Sequence, residues 1–327
     1  HFVCFCMQNL MAMENQTSVK AFILLGFSCV SEDLQGWLFA GAGAAYLVIL
    51  LGNSLIIYIT LVDAALYTPM YFFLRNFSFL EICYASVTIP RMLINLLGGN
   101  KAISILCCAV QMYFFHSLGI TECFLLLAMA YDRSIAICCP LRYTLLMKRS
   151  HCLQMVAASW AVGSLVSSGH VSLVFTLPYC GPDEIDHFFC DIPPVLKLAC
   201  ADTYRTETEL FSLTVLLAIV PAVLILISYS QIISTILKMP SNEGKRKAFS
   251  TCSSHLIVVT LFLGTGSVVY LQPKSRNQSL NFNKVFSLIY TVVTPMFNPI
   301  VYSLRNKEVK DALSRAIGKI FKFSSPY

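Results

Sequence analysis

Seven apolar stretches run along the chain, at residues 37–61, 70–93, 106–132, 152–174, 208–238, 248–271 and 282–303. Each is close to the roughly 20 residues needed to cross a hydrocarbon core about 30 Å thick. Trp37 to Leu61, Leu210 to Leu237 and Ala248 to Leu271 are the most continuous. Lipid offers no water to backbone amides, so each element must satisfy its own, and these stretches are predicted to be helices. Ten-residue segments of alternating polarity, the mark of a membrane barrel, do not occur in the sequence. The predicted fold class is an all-α membrane protein: a seven-transmembrane helix bundle with a short amphipathic cytoplasmic helix after the last span. Its divisions are an extracellular N-terminus at 1–36, the bundle at 37–303 and a cytoplasmic tail at 304–327.

Composition removes the soluble alternative. Charged residues make up 12% of the 327 and hydrophobic ones 57%, against roughly 25% charged in a soluble domain. There is too little charge to cover a water-facing surface. Lys and Arg in the connections then orient the bundle. One side carries fourteen, including Arg133, Arg142, Lys148, Arg149, Lys238 and the run Lys245-Arg246-Lys247. The other carries eight, set among ten acidic residues. This asymmetry predicts an extracellular N-terminus and a cytoplasmic C-terminus in the plasma membrane. The net charge of +6 is thereby explained by topology, and no nucleic-acid partner is expected. The tail from Arg305 to Lys322 reads as the amphipathic helix, its lysines attracting anionic membrane lipid.

The chain opens on His1, while Met13-Glu14-Asn15 looks like a start, so residues 1–12 are expected to be an upstream extension. Phe2 to Met7 is too short for a signal peptide and lacks its basic flank, which leaves the first span as an uncleaved anchor. Asn15-Gln16-Thr17 is a glycosylation acceptor on the outer side. Asn76-Phe77-Ser78 has the same pattern inside a span near the cytoplasm, where no glycan can be added, and Asn277-Gln278-Ser279 is a weaker candidate in an outer loop.

Of fourteen cysteines, most fall within spans, where Cys packs as a small hydrophobe; Cys83, Cys107, Cys123 and Cys252 are of this kind. Cys108 and the loop residues Cys180, Cys190 and Cys200 face an oxidising space, so bridges are expected among them. Four cysteines allow three pairings, and the residues alone leave the choice open. A metal site at His187 is not expected, because a neighbouring Cys in a disulfide is no ligand.

Two carboxylates stand out: Glu81 and Glu122 lie near the middle of the second and third spans, where ionisable side chains are costly and usually functional. They are read as a pair facing the bundle interior, sharing a sodium ion or a proton. The alternative is that each is protonated and bonded to neighbours such as Asn298. Asp132-Arg133 closes the third span at its cytoplasmic mouth, as a switch or as a topology anchor. In Asn298-Pro299-xx-Tyr302 a proline removes a backbone bond and permits a kink, and Pro221 stands eight residues before Tyr229.

Four ordered motifs carry a family resemblance. They are Leu66-Tyr67-Thr68-Pro69-Met70-Tyr71-Phe72-Phe73-Leu74-Arg75-Asn76, Met129-Ala130-Tyr131-Asp132-Arg133-Ser134-Ile135-Ala136, Lys247-Ala248-Phe249-Ser250-Thr251-Cys252-Ser253-Ser254-His255 and Pro295-Met296-Phe297-Asn298-Pro299-Ile300-Val301-Tyr302. With Gly52-Asn53 and Ser228-Tyr229, they make the chain from about Met13 to Lys319 resemble the olfactory receptors, rhodopsin-like G-protein-coupled receptors. The resemblance implies disulfides Cys108–Cys190 and Cys180–Cys200. It implies switch roles for Asp132, Arg133, Tyr229, Lys247, Asn298, Pro299 and Tyr302. It implies a pocket for small volatile odorants at Phe115, His116, Gly119, Ile120, Leu213, Thr214, Leu217, Gly266, Ser267, Tyr270, Leu288 and Thr291, with His116 the foremost polar contact. The implied partner is a stimulatory, olfactory-type heterotrimeric G protein, and the implied output is a rise in cyclic AMP.

The chain departs from the family pattern at Leu263 and Ser134, each replacing a usual tyrosine, and at Cys139 and Tyr67, each replacing a usual histidine. These put signalling efficiency in question. Rival readings are weaker. No catalytic constellation or phosphate loop supports an enzyme, and no repeated halves support a transporter. Val285 to Ser303 has no lysine for a retinal Schiff base, and Phe115 and His116 give the third span no anion to hold an amine. No cofactor is expected beyond a possible sodium ion at Glu81 and Glu122.

Overall fold

The computed structural model describes residues 19–28, 30–180, 182–270, 280–305 and 308–315. Seven long helices dominate: α1 (Glu32–Val62), α2 (Pro69–Leu96), α3 (Ile105–Cys138), α4 (Arg149–Phe175), α5 (Tyr204–Lys238), α6 (Asn242–Tyr270) and α7. The last is composite, running through Leu280–Leu288, a π-helical turn Ile289–Val293 and Thr294–Arg305. All seven contain segments long and apolar enough to cross a membrane. Their large apolar side chains point outward as well as inward: Leu51, Leu165 and Leu226 are 70%, 74% and 67% exposed. In water such a surface would aggregate. Against lipid tails it is matched.

Local sequence explains the ends and the bends. Pro69 opens α2 at a position where a missing N–H costs nothing, and Glu32 and Asp33 lie at the positive end of the α1 dipole. Pro90, Pro221 and Pro299 interrupt the ladders of α2, α5 and α7. Where helices meet closely the residues are small. A Cβ at Gly163 of α4 would lie 2.5 Å from the Ser117 carbonyl of α3, and one at Gly52 of α1 would lie 2.9 Å from Pro299 Cβ. Ser167 of α4 reinforces the first contact by donating to the Tyr113 carbonyl at 2.7 Å.

A small sheet covers one end of the bundle. Strand β1 (Ala21–Leu24) lies between β2 (Ala102–Ser104), antiparallel, and β3 (Glu184–Ile185), parallel. Disulfides join Cys108 to Cys190 and Cys180 to Cys200, with Cα separations of 5.4 and 6.0 Å. Lys284 of α7 ties into the same cap, donating to the Gly26 carbonyl at 2.9 Å and pairing with Asp186.

At the opposite end a further helix, α8 (308–315), follows α7. Val309 and Ala312 are buried against the bundle, Tyr71 donates to Glu308 at 2.6 Å, and Arg315 donates to Asp63 at 2.7 and 2.9 Å. The proposed upstream extension at 1–12, Asn15, Asn277 and the tail beyond 315 lie outside the described residues.

Candidate functional site

Beneath the sheet, aromatic rings from three other elements converge on Phe115 of α3. Its ring centroid lies 5.1 Å from Tyr84 of α2, 4.6 Å from Phe189 of the long loop and 6.3 Å from Tyr290 of α7. Tyr290 in turn meets Phe262 and Tyr270 of α6 at 5.6 and 6.3 Å. Two glycines make room for it. A Cβ at Gly119 would lie 3.3 Å from the Tyr290 hydroxyl, and one at Gly266 would lie 3.5 Å from its ring.

Phe115, His116, Gly119, Gly266 and Tyr270 are thus brought together. Ile120, Leu213, Thr214, Leu217 and Leu288 are half-buried, and Thr291 is buried. The hydroxyls of Thr214 and Thr291 donate to their own helices, at Leu210 and Ser287, and Ser267 is exposed. Tyr84, Phe189, Phe262 and Tyr290 were not singled out in the sequence, although the aromatic spacing Phe188-Phe189 beside Cys190 was available as a signal.

The polar end of this ring cluster comes from the loop. Asp191 follows Cys190 and is 2% exposed. Its Oδ1 accepts from the Ile192 N–H at 2.8 Å and its Oδ2 from the Tyr270 hydroxyl at 3.2 Å. His116 Nε2 lies 3.4 Å from Oδ1. Burial opposes ionisation of Asp191, but His116 in its protonated, donating form outweighs it and holds the carboxyl below its ordinary range, with a smaller contribution from the Ile192 N–H. His187, stacked on Phe188, is pushed from 6.5 down to about 4, chiefly by burial. It is therefore neutral in the folded cap at neutral pH, whereas an unfolded chain would protonate it below 6.5. Stability contributed by the neutral ring is present above that value and is lost as pH falls toward about 4. The melting temperature of the purified protein is expected to drop between pH 7 and pH 5, and His187→Phe to flatten that drop; an unchanged slope would count against it.

Midway down, Asn298 donates to Glu81, and the Glu122 carboxyl lies near enough to interact with that of Glu81 electrostatically. All three residues are buried. Glu81 Oε2, Asn298 Oδ1, Ser78 Oγ and the Tyr302 hydroxyl have no hydrogen-bond partner among the described residues. Oxygen atoms in this number suit a proton or a small hard cation such as sodium.

At the end remote from the sheet, Arg133 pairs with the fully buried Asp132, and Tyr143 donates to the other Asp132 oxygen at 2.8 Å. Burial and the neighbouring Asp132 push the Tyr143 phenol up. Tyr229 of α5 and His255 of α6 hydrogen-bond at 2.6 Å. Of the residues that break the family pattern, Tyr67 donates to the Leu61 carbonyl at 2.7 Å and caps α1, and Ser134 donates to Gln231 of α5 at 3.4 Å. Leu263 packs against the core, and Cys139 is exposed. The side chain of Lys247 lies outside the described residues.

Comparison with known proteins shows the family and the fold. A family model described as Olfactory receptor matches residues 42–319. Olfactory receptor 10A7 of Homo sapiens is 54% identical over 94% of this chain and 96% of its own. Olfactory receptor 10P22 of Mus musculus is 50% identical over 93% of this chain and 97% of its own. Squid rhodopsin superposes with a TM-score of 0.71 over 91% of this chain and 89% of its own, at 17% identity, a likeness of fold alone. The chain is a multi-pass membrane receptor, not an enzyme, and belongs to the olfactory receptor family.

Proposed function

We propose that this receptor binds small, mostly apolar odorants in the aromatic chamber beneath the sheet and activates a stimulatory heterotrimeric G protein, raising cyclic AMP. The observation that carries this reading is the ring cluster around Phe115 and Tyr290, apolar on its walls and polar at one end, as small-molecule sites generally are. The sheet end is extracellular and the Arg133 end cytoplasmic, on the strength of the Lys and Arg asymmetry among the connections. The divisions 1–36, 37–303 and 304–327 follow from that orientation, as does a glycan on Asn15.

The mechanism is a shift of populations: odorant binds better to the state whose cytoplasmic end is open. Three features support it. Tyr290 links the chamber to a π-helical turn in α7, a local winding that can be gained or lost. Below it, the Glu81, Glu122 and Asn298 cluster joins α2, α3 and α7, and its vacant oxygen valences would hold the proton or sodium ion that stabilises one arrangement. At the far end, Asp132 holds Arg133 until α6 moves, and the Tyr229–His255 bond couples α5 to α6. A screen of the expressed receptor against an odorant panel with a cyclic-AMP reporter tests this. Agonists are expected among small apolar molecules with one polar group. A well-surfaced receptor silent to the whole panel would contradict it.

A further inference from the structure

The chamber's polar end holds more acceptors than donors. Asp191 is buried and has about four acceptor positions on its two oxygens. The Ile192 N–H and the Tyr270 hydroxyl occupy two of them. His116 does not supply a third while it is neutral. Its Nδ1 lies 2.9 Å from the Met112 carbonyl, which can only accept, so Nδ1 carries the proton. Nε2 is then a bare lone pair, 3.4 Å from a carboxylate oxygen and without a hydrogen bond among the described residues. Two acceptors facing each other repel unless a proton or a donor lies between them.

His170 of α4 leaves one donor and one acceptor unmatched beside His116. It is 2% exposed, neither ring nitrogen has a partner among the described residues, and its ring centroid lies 6.2 Å from that of His116. The remaining walls are aromatic. Phe115 is edge-on to His116 at 5.3 Å, and Tyr270 lies 6.4 Å from His116. Ring faces in a desolvated site favour a positive charge as well as hydrocarbon.

We propose that Asp191 and His116 form an anionic hook, and that the chamber takes a small protonated amine, an alkyl- or arylalkylammonium whose N–H groups satisfy Asp191 and His116 Nε2. Its hydrocarbon part lies among Phe115, Tyr84 and Tyr290. A neutral alcohol brings one O–H donor and no charge, so it leaves the site incompletely matched. A carboxylic acid, ionised, is repelled. The inference rests on reading the chamber as the ligand site. It also places the anion on the loop after the disulfide, where inspection of the third span alone does not find it.

The test uses the full chain, purified in nanodiscs, with thermal melting as the readout. The probes are cyclohexylamine and 2-phenylethylamine, each beside its neutral isostere, cyclohexanol and 2-phenylethanol. Amines are expected to raise the melting temperature at concentrations roughly tenfold or more below those of the alcohols. Asp191→Asn keeps an oxygen for the Ile192 N–H but loses the charge. Its amine-over-alcohol preference is expected to shrink roughly tenfold to a hundredfold, the usual weight of a hydrogen bond to a charged group. Equal potency of amines and alcohols on the unaltered chain overturns the hook and leaves the chamber standing; that comparison decides even if the Asn variant fails to fold. A preference undiminished in Asp191→Asn overturns it as well. No shift from any of the four probes overturns the chamber reading itself.

Discussion

Replacing Cys190 with serine is expected to strip the receptor from the cell surface. The Cys108–Cys190 bridge spans 82 residues of sequence. In the chain-entropy picture, closing a loop of that length constrains the unfolded chain by about 4.5 kcal/mol, a large share of the roughly 5–15 kcal/mol that holds a typical protein folded. The loss does not stop at entropy. The Cys190 N–H donates to Gln111 Oε1 of α3 at 3.0 Å, and the next residue is the buried Asp191. Freeing the loop therefore exposes Phe188 and Phe189 and pulls the carboxylate away from Tyr270 and His116. Surface staining should fall several-fold, and the Cys108→Ser, Cys190→Ser double variant should be no worse than either single one, since all three lose one bond. Cys180→Ser should do less harm. Its bridge to Cys200 spans 20 residues, worth about 3 kcal/mol on the same reckoning. Normal surface levels of the Cys190 variant would contradict the role given to the cap.

Replacing Arg133 with alanine is expected to abolish odorant-evoked cyclic AMP while leaving the receptor at the surface. The guanidinium is 15% exposed and its one described ion pair is with Asp132, one residue before it. It therefore ties no distant helix to α3 by charge, so its removal is unlike the loss of a structural clamp. Asp132 keeps the Tyr143 hydroxyl as a donor, which limits the cost of its burial. What disappears is the cation that an opened cytoplasmic end would present to the G protein. Signalling preserved in Arg133→Ala at equal surface staining would refute the switch.

The seven spans were legible because lipid imposes a single rule on backbone and side chain alike, and the helices of the structure begin and end within several residues of the apolar stretches. The helix after the last span was legible in the same way, from apolar Val309 and Ala312 set among charges. The sheet was not. Strands of four, three and two residues carry no usable periodicity, and their pairing depends on three separate connections meeting.

The candidate site was half legible. Glu81 and Glu122 announced themselves by their depth in the membrane, and family motifs pointed to Phe115, His116 and Tyr270. Asp191 could not be weighed in the same way, since an acidic residue in a loop is ordinary until the Cys108–Cys190 bridge folds it inward. Tyr290 was missed because the resemblance named its neighbours Leu288 and Thr291, and nothing in the sequence set apart this one tyrosine, which the fold places in the π-helical turn. Ser267 shows the converse: at a pocket position by motif, it is exposed in the fold.

Everything proposed for this receptor requires the sheet-covered chamber and the Arg133 end to lie on opposite sides of the membrane. Epitopes placed at Asn15 and after Tyr327 in the expressed chain test this most directly. Antibody against the first should stain intact cells, and antibody against the second should stain only after permeabilisation. Both epitopes reached on intact cells, or both hidden until permeabilisation, would contradict the account.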